Sequence, residues 1–245
     1  AHSIALIADA GHNLSDVLGL LLAWGAGILA QRRPSKSRTY GFRRSSILAA
    51  LINAVVLLVV TGGVAWEAIR RLGHPGAVSG KTVIWVAVAG VAVNGITAYL
   101  FFSGRKGDLN IRGAFLHMAA DAGLALGVAL TGVVILATSW HWLDPIASLV
   151  IGGVILLGTW SLLRDSVNLA LDAVPEGVDA AAVEAYLAGL PTVTEVHDLH
   201  IWGMSTTETA LTAHLVIPDG GAGDALLARV CGELHDQFDI EHATL

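Results

Sequence analysis

His12 and Asp16 stand four residues apart in the run Ala8-Asp9-Ala10-Gly11-His12-Asn13-Leu14-Ser15-Asp16. His117 and Asp121 repeat the spacing in His117-Met118-Ala119-Ala120-Asp121. Residues four apart share one helix face about one turn apart. Both pairs sit in segments otherwise apolar enough to cross a membrane, where an ionisable residue costs about 2.5–3.5 kcal/mol and marks function by default. Two imidazoles and two carboxylates on two helices make a tetrahedral set for a divalent metal. Asp9 lies on the same stripe, so Asp9, His12 and Asp16 fall at i, i+3 and i+7. A lipid-facing helix could not hold such a stripe cheaply, so the two helices must face each other or a wet cavity.

The elements that carry these residues follow from composition. Hydrophobic residues make up 54% of the chain, charged residues 14%, and mean hydropathy is +0.67. Soluble domains hold about 25% charged residues, so this is membrane-protein composition. Five apolar segments, 4–30, 46–69, 82–103, 113–138 and 144–164, reach the roughly 20 residues a spanning helix needs. Gly107 and Asp108 break the run between the third and fourth. Trp140 and Trp142 stand where an interfacial aromatic belt would lie, and Asp144-Pro145 reads as an N-cap followed by an N1 proline. Gly25, Gly27, Gly62, Gly63, Gly152 and Gly153 are expected to let helices pack closely, and Asn53 and Asn94 to make interhelical hydrogen bonds.

Charge divides the chain in two. Residues 1–171 carry a net charge of +6 and residues 172–245 a net charge of −12. Arg32, Arg33, Lys36, Arg38, Arg43 and Arg44 in loop 31–45, Arg105, Lys106 and Arg112 in loop 103–112, and Arg164 all lie on one side. Arg70, Arg71 and Lys81 lie on the other. The positive-inside rule puts the first group, and with it the acidic tail, in the cytosol. Ala1 then falls on the far side, so at least one further spanning helix is expected upstream. Cys231 is the lone cysteine, which excludes an internal disulfide and disfavours a Cys-based zinc site.

The tail reads as α-β-β-α-β: a helix over Val178–Gly189, strands over Thr194–Met204 and Glu208–Ile217, a helix over Asp224–Phe238 and a strand beginning at Ile240–Leu245. That order suggests a small α+β ferredoxin-like domain, left incomplete at its end. The expected division is a transmembrane helical domain over 1–168 and a cytosolic domain over 169–245.

No HExxH motif and no clustered histidine boxes are present, so a membrane metalloprotease or di-iron oxygenase is disfavoured and the protein is not expected to be an enzyme. A hydrolytic zinc site keeps a water in its fourth position, whereas four convergent side chains suit holding and releasing an ion. Three rivals remain at this point: a structural His–Asp network, a carrier of an organic substrate that uses the pairs as a proton relay, and a metal sensor without flux. Imidazole favours zinc, cadmium, cobalt or nickel over manganese or magnesium.

Ala8–Asp16 resembles the second transmembrane helix of the cation diffusion facilitator family, and His117–Asp121 its fifth. Thr39-Tyr40-Gly41-Phe42-Arg43-Arg44, Ala49-Ala50-Leu51-Ile52-Asn53 and His197-Asp198-Leu199-His200-Ile201-Trp202 extend the resemblance over nearly the whole chain. It implies six membrane helices, a cytosolic C-terminal domain, and homodimers that exchange cytosolic zinc or related ions for protons. The transport site it implies is His12, Asp16, His117 and Asp121. Some relatives hold a metal between their second and third helices; loop 31–45 has no His, Asp or Glu, so none is expected there. Its basic residues would contact anionic lipid or the acidic tail.

Asp9 reads as a partner behind the ligands or a structural group, with an entry group for the ion as the alternative. In the tail the resemblance implies a regulatory cytosolic zinc site at His197, His214 and His242, with Thr244 replacing an expected aspartate. Strand alternation places His200 on the face opposite His197. Bound cations would relieve repulsion between two −12 tails in a dimer. The expected partners are a second copy, the bilayer, divalent ions and protons, with no nucleic acid, in a bacterial inner membrane.

Overall fold

The computed structural model describes residues 3–74, 76–103, 109–218 and 223–245, with backbone alone over 109–114. Five long helices come first: α1 (Ile4–Ala30), α2 (Ser45–Gly73), α3 (Gly80–Phe101), α4 (Leu109–Thr138) and α5 (Leu143–Ala170). All five are long and apolar enough to cross a membrane. They match the five expected segments, with ends that differ by up to six residues. The expected break at Gly107-Asp108, and Arg105 and Lys106 with it, fall outside the described residues, as does the Arg112 side chain. The chain then forms α6 (Ala180–Ala188), β1 (Glu195–Gly203), β2 (Thr209–Val216), α7 (Asp224–Phe238) and β3 (His242–Thr244).

The residues pack as two compact units, one built from 1–17 and 55–159, the other from 18–54 and 160–245. In the first, Ala5, Ala8, Val83, Ala87, Val128 and Ile151 belong to one buried apolar cluster. Small residues bring α3 and α4 together: a β-carbon built on Gly80 would lie 2.8 Å from the Gly132 carbonyl oxygen, and one on Gly132 would lie 3.0 Å from Val83 and Ile84 side chains. Those approaches do not involve the glycines expected to make them. Gly25, Gly27, Gly62, Gly63 and Gly153 have nothing within 4 Å of a built β-carbon, and Gly152 meets only Thr61, at 3.5 Å. Leu20, Trp85 and Leu157 stand on the outside at 72%, 72% and 79% exposure, the apolar exterior that a lipid solvent requires.

Asp144 does not cap α5, because that helix begins one residue earlier, at Leu143. It caps α1 instead. The buried carboxylate accepts from Ser3 Oγ, from Ile4 N at 2.7 Å and from Ala5 N at 3.4 Å. It thereby satisfies amides that have no partner inside α1 and ties the start of α1 to the start of α5.

In the second unit, Asp179 caps α6 by accepting from Ala181 N and Ala182 N at 3.0 and 3.2 Å. β1 and β2 pair antiparallel, and β2 and β3 pair parallel, in sheet order β1-β2-β3. Val183, Leu187, Ile201, Leu211, Val230 and Leu234 form its core. Tyr186 of α6 donates to Glu233 of α7; burial and that carboxylate push its hydroxyl up to about 12. The basic loop reaches the acidic tail: Arg43 Nη1 lies 2.9 Å from Glu208 Oε2, Arg44 pairs with Asp172, and Thr206 N donates to Ser46 Oγ at 3.1 Å. Asn53 fills the gap beside Gly19, whose built β-carbon would lie 2.5 Å from Asn53 Oδ1.

Candidate metal sites

α1 supplies His12 and Asp16, and α4 supplies His117 and Asp121. Helical spacing stacks each pair on one face, and packing turns the two faces toward each other. His12 Nε2 lies 3.4 Å from Asp121 Oδ1 and 3.6 Å from Asp16 Oδ2. His117 Nε2 lies 3.4 Å from Asp16 Oδ2 and 3.6 Å from Asp121 Oδ2. Each imidazole therefore meets both carboxylates, in a closed ring that alternates His, Asp, His, Asp. Zinc–ligand bonds of about 2.0–2.2 Å give a tetrahedron with edges of about 3.3–3.6 Å, the spacing found here. The rings stand at 77° with centroids 6.3 Å apart.

The oxygens that face His117 are buried and accept no hydrogen bond: Asp16 Oδ2 and Asp121 Oδ2 are unsatisfied, as is His12 Nδ1. Buried polar atoms without partners are rare in folded proteins. The two carboxylate oxygens, converging beside His12 Nε2 and His117 Nε2, match the donor chemistry of a divalent ion. The structure brings all four expected residues together. Burial is graded: Asp121 and His12 have side chains 3% and 11% exposed, Asp16 and His117 23% and 49%. Asp9 takes no hydrogen bond from a ligand residue among the described residues.

The second cluster lies in the tail. His197 and His214 face each other across the β1–β2 ladder, with ring centroids 5.0 Å apart. Asp198 Oδ2 lies 3.4 Å from His197 Nδ1 and 3.3 Å from His214 Nδ1. A bulge makes this possible. The register runs from His197↔His214 directly to His200↔Thr212, and Asp198 adopts a left-handed φ of 52°. Asp tolerates that conformation better than most residues, and the extra residue turns its carboxylate toward the two rings.

One expectation fails at the bulge, and a second in the β2–β3 ladder. His200 shares a face with His197, because Thr212 and His214 are two apart on β2 and so point the same way. His242 does not join the cluster: it pairs with Ala210, four residues along β2 from His214, and sets its ring against Tyr40 at 5.9 Å. Asp198 is the member that sequence reasoning missed. A signal was present, since the core-facing residues Val196, Leu199 and Ile201 are spaced three and then two apart rather than alternating.

Five long apolar helices bearing a paired His/Asp site, followed by a small α+β domain, define a polytopic metal-handling membrane protein. Residues 1–169 match the cation efflux transmembrane domain, and residues 175–245 match the cytoplasmic domain of cation efflux proteins. The chain belongs to the cation efflux, or cation diffusion facilitator, family. The cadmium, cobalt and zinc/H(+)-K(+) antiporter of Bacillus subtilis is 32% identical, covering 100% of this chain and 80% of its own length. The metal cation efflux system protein CzcD of Cupriavidus metallidurans is 37% identical, with coverages of 99% and 77%. The zinc transporter ZitB of Escherichia coli is 36% identical, with coverages of 99% and 78%.

Proposed function

We propose that this protein exports zinc, and chemically similar cadmium, cobalt or nickel, from the cytosol in exchange for protons, by alternating access within a homodimer in a bacterial inner membrane. Residues 1–168 form the transporting part and residues 169–245 the cytosolic part. The closed ring of four imidazole–carboxylate distances carries the reading. Its mixed nitrogen and oxygen donors favour zinc-type ions over manganese or magnesium. The names of the relatives point to the same ions and, in the Bacillus protein, to proton exchange.

The imidazoles must be neutral to bind the ion, and the ordinary histidine pKa of about 6.5 lies in the working range. Protons arriving from outside compete with the ion for His12 and His117 and drive its release; loss of those protons toward the cytosol restores the site. The inward-facing and outward-facing states are each favoured by a different occupant.

His197, Asp198 and His214 serve as a cytosolic zinc sensor in this reading. Zinc bound there lowers the repulsion between two acidic tails and draws them together, favouring transport. Spin-label distances between tails that ignore zinc would count against that role.

The test is zinc flux into liposomes carrying the full-length protein under an imposed pH gradient, beside Asp121→Ala. Proton-driven flux that vanishes in the variant is the expected result. Tight zinc binding without flux would make the protein a sensor, and neither binding nor flux would return the ring to a structural role.

A further inference from the structure

Asp9 is a carboxylate that the transport site does not use. It is 9% exposed. Among the described residues its carboxylate accepts no hydrogen bond and forms no ion pair, although it lies close enough to His12 and Asp121 for their charges to act on it; its backbone carbonyl accepts from Asn13 Nδ2 at 2.8 Å. An unpaired carboxylate at membrane depth is costly, and such groups line ion paths. Glycine leaves it room: a β-carbon built on Gly90 would lie 3.8 Å from Asp9 Oδ2 and 3.4 Å from Ala125 Cβ.

Its level in the membrane follows from helix direction. α5 leads into the cytoplasmic domain, and successive spans alternate, so α1 and α3 run inward while α4 runs outward. Asp9 then stands about 4.5 Å, nearly one turn, outward of His12. Ala125 stands one turn outward of Asp121. The layer holding Asp9, Gly90 and Ala125 thus lies directly outward of the His12–Asp121 contact. Asp16 and His117 lie inward and are the more exposed members of the site. Further outward, Ala5 and Ala8 pack with Val83, Ala87 and Val128 in the buried apolar cluster. Asp9 therefore occupies the boundary between the site and the apolar layer that closes it to the outside.

We propose that Asp9 is the outward-side acceptor of the exported cation, taking it from His12 and Asp121 when the apolar layer opens. The assignment rests on the transport reading above. A single carboxylate completed by water holds a zinc-type ion more loosely than four side chains do, which suits a station on the way out. Loading from the cytosol does not need Asp9; unloading does.

The experiment uses the full-length protein with zinc as the probe. Equilibrium zinc binding is measured by calorimetry in detergent, and turnover and cytosolic-side KM by flux in liposomes, for wild type, Asp9→Asn, Asp9→Glu and Asp121→Ala. In Asp9→Asn, affinity and KM should stay within about threefold of wild type while kcat falls by about tenfold or more, and Asp9→Glu should restore most of the turnover. Unchanged turnover in Asp9→Asn overturns the proposal. So does an affinity loss that matches the turnover loss, which would make Asp9 a support for His12. If Asp9→Asn does not fold, Asp9→Ser is read by the same criteria. Retained binding and flux in Asp121→Ala would strike the transport reading itself, a failure separable from that of Asp9.

Discussion

His12 Nε2 stands 3.4 Å from Asp121 Oδ1, joining α1 to α4 across 109 positions of sequence. The contact holds the His12–Asp16 and His117–Asp121 pairs at the spacing of a tetrahedral zinc site. Removing one carboxylate should disable the set. Asp121→Ala is expected to weaken zinc binding by about 100-fold or more, at or above the top of the roughly 10–100-fold range for losing a supporting group. In wild type, binding should weaken as pH falls through the histidine range, because the ion and the proton compete for the same nitrogen. Calorimetric titration at several pH values measures both effects.

Ligand chemistry sets the choice of ion. His12→Asp and His117→Asp replace nitrogen by oxygen, which suits manganese and magnesium better. Both variants should narrow the preference for zinc over manganese by about tenfold and alter proton coupling. Competition flux and the stoichiometry of proton release check this; unchanged values in both variants would contradict it.

The tail offers a contrast between two residues. Asp198→Asn keeps a residue that tolerates the left-handed backbone at φ 52° but removes the charge between His197 and His214. In an Asp121→Ala background, it should lower zinc affinity at the tail by about tenfold or more, while His242→Ala should change it less than about twofold. An effect of the opposite rank would return His242 to the site.

Close backbone approach between α3 and α4 makes Gly132 intolerant of bulk. A β-carbon there would already lie 3.2 Å from Ile84 N. Gly132→Leu should cost about 1–3 kcal/mol through overpacking. Gly153→Ala, with nothing within 4 Å, should cost nothing measurable. Thermal unfolding in detergent compares the two.

Tyr186 gives the tail an alkaline limit. Burial and Glu233 favour the neutral phenol, so the hydroxyl titrates near 12 instead of 10. The folded state has this advantage in full below pH 10 and loses it as pH rises to about 12. Tyr186 should give a late phase in an ultraviolet pH titration, and Tyr186→Phe should remove it.

The sequence by itself determined what lies within each element. Run length and hydropathy marked the five spans, and i, i+4 spacing put His12 with Asp16 and His117 with Asp121. Turn and cap residues set the α-β-β-α-β order of the tail. These are local properties, encoded every 2 or 3.6 residues along the chain. Tertiary structure alone decided which faces meet. It turned α1 toward α4 so that two pairs became one ring, and it used Asp144 of α5 to cap α1. It also moved the close helix contacts to Gly80 and Gly132. In the sheet, one extra residue at Asp198 reversed the expected face of His200 and brought a carboxylate to the histidine pair, while the pairing of β3 with β2 set His242 against Tyr40. Periodicity cannot carry such information, because packing between distant elements and a single bulge both depend on neighbours that the local pattern does not name.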